Sequence, residues 1–519
     1  MSQAERSARL VAAPFLALSA LCCVLAFVGL DVTSYWIDEL FTLFVIDHDG
    51  GMKEVLARSL TDTHPPAYYF IAHGWIQLFG SGETALRALS ALFAVAAVGV
   101  FFAVLKPWFS LPARAFATLV AAASTLTFDF AQTARSYSLC VLISAGLMGL
   151  ALAIHARARE GEAVSWRLLA PFWLLSLLGS YTHFYLFLMV GGLHLFFLIG
   201  ARATRFRLLV LASGALIFGL LAAYVVVLLR DTRQDLQSMW FQNSPNFIFR
   251  QALWAVGRTL GGAIGAMLVL ALAPWGDRLK LGRGEAVARP PDRPLWPLAM
   301  SGAVIGVTIV AGLVISFTVA PSFGKRNLLV FAPFLWLVPA WLYDAVAPDP
   351  ATRGGKALIG TLLVMVGINV IQLPLRFKPR DEDWRASAAF VAGLPGCRTT
   401  DLPVVLPWIF GPSTPFFRTL AERYFYGRYY PAPERLHAFT PDEFDKPPPA
   451  LQALLARKGG CPVVAWGVHD LDKENEPGLA GDIARGFGMP VVSKTFDFRR
   501  PGAVGFSKRT TGAWVYLRP

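Results

Sequence analysis

The stretch LVAAPFLALSALCCVLAFVGLDVTSYWIDELFTLF, Leu10 to Phe44, decides the fold. It begins with about twenty apolar residues, enough for a helix to cross roughly 30 Å of hydrocarbon. Two adjacent carboxylates, Asp38 and Glu39, then appear among aromatic and aliphatic side chains. Further apolar runs follow at roughly 84–105, 113–131, 137–156, 168–182, 185–200, 207–229, 253–273, 297–318, 328–347 and 357–374. At 55% hydrophobic and 16% charged residues, with a mean hydropathy of +0.51, the 519-residue chain is not an ordinary soluble globule. It reads as a polytopic α-helical membrane protein with about eleven transmembrane helices. Amides in lipid must bond within their own segment, and the alternating pattern of a barrel is absent.

A net charge of +13 could suggest nucleic acid, but the basic residues are spread over short loops rather than gathered in a patch. The positive-inside rule accounts for them. With Arg6 and Arg9 cytoplasmic, alternate loops carry Lys106 and Arg114, then Arg157, Arg159 and Arg167, then Arg202, Arg205 and Arg207, then 278–293, then Arg353 and Lys356. The first outer loop, 31–82, opens with seven acidic residues up to Asp62 against Lys53 and Arg58. This topology requires that Pro65 to Gly80 not cross, because a crossing there would reverse every later loop. Its HPP entry and polar His73 and Gln77 suit an interfacial or re-entrant helix. The first apolar run lacks a small-residue cleavage site and is read as a retained anchor.

After Leu375 the composition changes, with 35 charged side chains in 144 residues against 46 in the first 375. Residues 1–375 are therefore read as the transmembrane domain and 376–519 as a soluble periplasmic domain. Short β-branched runs, LPVVLPW, PVVAW and MPVVSKTF, point to an α/β layer structure for it. Cys397 and Cys461, each beside a glycine, are a disulfide candidate in an oxidising compartment, with two buried thiols as the alternative. Cys22, Cys23 and Cys140 lie in apolar runs and read as packing residues.

Several segments carry candidate chemistry. Ionised carboxylates at a bilayer are costly and mark function by default, which singles out Asp38 and, on a different helical face, Glu39. Asp47, Asp49 and Asp62 read as solvated loop acids. In DTHPPAYYF two prolines hold His64 in an extended helix entry, where it could bind a metal or an oxyanion. Tyr68 and Tyr69 add hydroxyls, and an aromatic belt with a capping histidine is the competing reading. In FDFAQTARSYSL, Arg135 offers a permanent fork of donors for phosphate beside Tyr137, with Asp129 either its partner or a second catalytic carboxylate. SYTHFY contributes Tyr181 and His183. Lys325 and Arg326 form a dibasic pair in a short outer loop, against the charge rule, and so call for an anionic partner. No Walker loop or dinucleotide fingerprint is present, so the substrate itself would have to carry the energy.

WIDELF, HPP.YY, AQTARSYSL, YTHFY and KRNLLVFAPF, in this order, resemble the GT-C superfamily of lipid-linked-sugar glycosyltransferases. The closest likeness is to the bacterial branch of aminoarabinose lipid A transferases and protein O-mannosyltransferases. The resemblance implies transfer of a sugar from a polyprenyl phosphate, with inversion, to a lipid, glycan or protein acceptor at the periplasmic face of a bacterial inner membrane. It implies Asp38 as the general base or the carboxylate that orients the acceptor, and Arg135, Lys325, Arg326 and His64 around the donor phosphate. Related sequences commonly carry Glu two positions before the arginine, where this chain has Thr133. That leaves open a role for Asp129 and for a divalent cation, with Asp38 and His64 as its candidate ligands; no cofactor is required by the sequence. A transporter or lipid-linked-sugar flippase, and a lipid-linked polymer ligase, are the rival readings. Transport would favour related halves and polar groups at mid-bilayer, and the sequence shows neither.

Overall fold

In a computed structural model the described residues are 2–62, 64–231, 244–278, 294–319, 321–377, 383–405, 418–439, 443, 446–457, 461, 463–467, 491–501 and 506–516. The chain divides into two compact units. The first comprises Met1–Val28, Gly50–Gly80 and Ala85–Leu375, and the second Gly29–Asp49, Ser81–Thr84 and Arg376–Pro519.

The helices run in chain order as α1 (Gln3–Leu25), α2 (Ile37–Ile46), α3 (Gly51–Ser59), α4 (Ala67–Phe79), α5 (Glu83–Val104), α6 (Leu111–Ala122), α7 (Thr125–Ala131), α8 (Tyr137–Glu160) and α9 (Trp166–Ser180). They continue as α10 (Phe184–Gly200), α11 (Thr204–Asp231), α12 (Pro245–Leu260), α13 (Ala263–Arg278), α14 (Trp296–Thr318), α15 (Ala332–Val346), α16 (Arg353–Gln372), α17 (Trp384–Ala392) and α18 (Pro449–Leu455). Local chemistry sets their ends. Ser110, Ser124, Ser165, Ser244 and Thr352 accept backbone N–H groups at the starts of α6, α7, α9, α12 and α16. Gly161 stops α8 in the left-handed conformation, beyond Arg157 and Arg159 in its last turn.

All eleven apolar runs fall on helices, but they differ in length. Among the described residues seven helices are long and apolar enough to cross a membrane, and the bent pairs α6–α7 (58°) and α12–α13 (76°) raise this to nine. The remaining two, α9 and α10, have 15 and 17 residues. The 13-residue α4 rises only about 20 Å, short of a bilayer core.

Within the first unit α8 and the segment Asn327–Val346 lie innermost, with 72% of their apolar stretch buried against 17% for α11. Leu211, Leu216, Phe218, Val314 and Val364 stay exposed, as lipid-facing side chains do. Small residues let helices approach closely. A Cβ on Gly192 would meet the Val304 backbone at 3.1 Å, and one on Gly312 the Tyr185 ring at 2.9 Å. At the α12–α13 break Gly261 has φ +54°. There the Gly262 N–H donates to Asn369 Oδ1 (3.1 Å) and Asn369 Nδ2 to the Leu260 carbonyl (3.4 Å), satisfying groups that the bend exposes.

The second unit holds a five-stranded sheet in the order β2-β1-β3-β5-β4, built from β1 (Leu402–Val405), β2 (Leu436–Phe439), β3 (Val463–Gly467), β4 (Val491–Pro501) and β5 (Phe506–Tyr516). β1 runs parallel to β2 and β3, while β5 is antiparallel to both β3 and β4. Cys397 and Cys461 are joined in a disulfide that closes a sequence separation of 64. In the same unit the Tyr35 N–H donates to the Tyr429 hydroxyl (2.7 Å), which donates to Glu83 (2.6 Å), where Arg385 also donates (2.8 Å).

Candidate functional site

The site of the first unit begins at the turn after α3. Pro66 caps α4 with helical backbone angles (φ −79°, ψ −14°), and the Ala67 N–H donates to the Tyr181 carbonyl at 2.9 Å, tying that entry to the α9–α10 turn. From the α7–α8 turn, Arg135 enters with only 4% exposure. Its Nη1 donates to the Tyr69 hydroxyl (3.1 Å) and its Nη2 to His64 Nδ1 (2.9 Å), and Nη2 lies 3.6 Å from Asp62 Oδ2. Tyr69 donates to that same Asp62 oxygen. His64 Nδ1 is also 3.3 Å from Asp62 Oδ2. One nitrogen cannot accept from Arg135 and donate to Asp62 at once, and the guanidinium keeps its protons and sits nearer, so Nδ1 accepts.

Asp62 is therefore no solvated loop acid. Its side chain is 11% exposed. Burial by itself would raise its carboxyl pKa, but the positive charge of Arg135 and the hydrogen bond from Tyr69 hold it well below the usual carboxylate range. Arg135 lies far along the chain from it, so the local pattern could not show this partner.

His183, between α9 and α10, caps α10: its Nδ1 accepts the Tyr185 N–H at 3.1 Å. Its ring lies 5.1 Å from His64 and 6.0 Å from Tyr137, centre to centre. Burial lowers its pKa well below the ordinary histidine value, and the positive charges of Arg135 and Arg326 push the same way against Asp62. Three buried polar atoms around this cluster have no hydrogen-bond partner among the described residues: His183 Nε2, the Tyr137 hydroxyl and the Tyr224 hydroxyl. Tyr224, on α11, stacks on Tyr181 at 5.6 Å and lies within the field of Asp62. The sequence reading missed it, because a tyrosine inside an apolar helix carries no mark of which face it occupies. Tyr181 donates instead to the Leu220 carbonyl (2.9 Å), and Tyr68 is buried edge-on against Tyr69.

The other candidates divide. The Lys325 N–H donates to Gln251 Oε1 (3.0 Å) and its ammonium sits 4.9 Å over the Trp254 ring, while Arg326 reaches the site through its charge at His183. Asp129 is ion-paired with Arg258, and Arg258 also donates to the Thr125 carbonyl at 3.4 Å. In the second unit Glu39 is fully buried and accepts the Trp36 N–H at 3.2 Å, which gives it a capping task at the start of α2. Asp38, one position earlier, is half-buried. Asp38 and His64, the candidate metal pair, belong to different units. Among the described residues no three His, Cys, Asp or Glu side chains form a group that could hold a metal ion.

No protein-family model matches the chain, and neither does any curated protein sequence. Solved structures do. ArnT from Cupriavidus metallidurans in the apo state is similar at 16% identity and a TM-score of 0.54, over 96% of this chain and 97% of that one. ArnT bound to undecaprenyl phosphate superposes at a TM-score of 0.48, with 16% identity and the same coverage. The arabinofuranosyltransferase AftD from Mycobacteria gives 0.46 at 16% identity, over 97% of this chain and 40% of that one. The likeness to apo ArnT, which runs nearly end to end in both chains, shows that this protein has the GT-C membrane fold.

Proposed function

We propose that the protein is a membrane glycosyltransferase that takes a sugar from a polyprenyl phosphate and passes it, with inversion, to a lipid, glycan or protein acceptor at the periplasmic face of the inner membrane. The observation that carries this reading is the buried Arg135, held by Asp62, His64 and Tyr69, with His183 beside His64 and under the positive charge of both Arg135 and Arg326. The GT-C fold supports it, since ArnT, which shares that fold, binds undecaprenyl phosphate.

In the reaction the acceptor oxygen attacks the anomeric carbon. The bond from that carbon to the phosphate oxygen breaks, and its electrons leave with the phosphate. Arg135, with Lys325 and Arg326, neutralises the charge that grows there. Asp38 accepts the acceptor's proton, because a sugar hydroxyl attacks poorly until a positioned carboxylate takes its hydrogen. Purified protein supplied with polyprenyl-phosphate sugar tests both roles. Arg135→Ala and Asp38→Asn should each cut sugar transfer by about 100-fold or more while the protein stays folded. Undiminished transfer in Asp38→Asn removes the base assignment. Undiminished transfer in Arg135→Ala removes the phosphate site.

A further inference from the structure

His183 is more specific than a pocket-lining residue. Because the Tyr185 N–H donates to its Nδ1 at 3.1 Å, that nitrogen carries a lone pair and no hydrogen. An imidazole that accepts at Nδ1 has its single hydrogen on Nε2. The backbone of α10 thus fixes the tautomer. The resulting Nε2–H donor is buried, in a residue 4% exposed, and has no partner among the described residues. Buried donors in folded proteins almost always find an acceptor. The Tyr137 hydroxyl, whose ring is 6.0 Å away, is buried in the same condition. The surroundings select the acceptor: Arg135 and Arg326 both place positive charge on this ring, opposed by the single carboxylate of Asp62. A group with several acceptor oxygens and a negative charge fits two unpartnered donors in the field of two guanidinium groups.

We infer that His183 is a tautomer-locked neutral donor that gives its Nε2 hydrogen to an oxygen of a bound phosphoryl group, with Tyr137 as a second donor beside it. The inference rests on the proposed function in taking that phosphoryl group to be the one on the lipid-linked sugar. It adds an uncharged donor to the cations already named, so the phosphate is oriented as well as neutralised.

Two substitutions separate this role from simple capping. His183→Asn places an amide where Nδ1 was, which keeps an acceptor for the Tyr185 N–H but does not reach the Nε2 position. His183→Gln places an amide nitrogen near Nε2 and keeps the donor. Undecaprenyl phosphate binding to the full chain in detergent micelles, with a thermal midpoint for each variant, is the measurement. His183→Asn should bind about ten-fold or more weakly with a near-wild-type midpoint, and His183→Gln should stay within about three-fold of wild type. Wild-type affinity in His183→Asn, or equal losses in both variants, overturns the inference. So does a loss seen only with phosphatidylglycerol as the probe, which would assign the imidazole to bulk headgroups. Arg135→Ala is the control: if it too binds as wild type, the phosphate reading fails as a whole, whereas its loss beside an intact His183→Asn removes the histidine's part alone.

Discussion

Asp62 shows how much a single side chain can owe to residues far from it in sequence. Its carboxyl is held below the ordinary range by neighbours that exist only in the folded chain. The unfolded state therefore binds the proton more readily, so the stabilisation is complete at neutral pH and is lost as pH falls below about 4, the unfolded carboxylate value. Thermal unfolding of wild type in detergent should weaken on that acid limb, and Asp62→Asn should flatten it; identical acid limbs would show that the carboxylate is not held this way. His64, Tyr69, Arg135 and His183 could be picked out because proline, charge or aromatic character stood out against an apolar background. Asp62 and Tyr224 could not. An acid in an acidic loop and a tyrosine in a helix look ordinary until the fold brings Arg135 and Tyr181 to them.

At the level of elements, the ion pair between Asp129 and Arg258 joins the short α7 to the last turn of α12, and the hydroxyls of Ser124 and Thr125 both donate to the Arg258 carbonyl at 3.3 Å. Both bent helix pairs thus meet at one buried pair of charges. Removing one partner leaves the other uncompensated, which costs about 3–5 kcal/mol. Arg258→Met should lower stability by that amount, and Asp129→Leu with Arg258→Met should recover most of it, as a double-mutant cycle on thermal or denaturant unfolding would report. Full additivity of the two losses would mean that the pair is not coupled. The existence of these helices was legible, because apolar length marks a span. Their bends were not: residues 113–131 and 253–273 read as single runs, and the breaks at Ala123–Ser124 and Gly261–Gly262 follow from capping and close backbone approach.

For the molecule as a whole, the change in composition after Leu375 was plain to read, whereas the recruitment of Gly29–Asp49 and Ser81–Thr84 into the second unit was not, since it depends on pairings such as Tyr35 with Tyr429 and Glu83 with Arg385. The disulfide in that unit closes 64 positions of chain, for which loop entropy gives about 4 kcal/mol. Replacing Cys397 and Cys461 by alanine should destabilise the second unit by about that much, read by protease sensitivity of the C-terminal part; unchanged resistance would deny the bridge its stabilising role. The seat of Tyr185 against Gly312 of α14 carries a consequence over a longer reach. A methyl group at 312 would meet the outer edge of that ring and wedge α10 from α14, so a residue with no chemistry of its own governs how closely two helices can lie and where an aromatic plane rests.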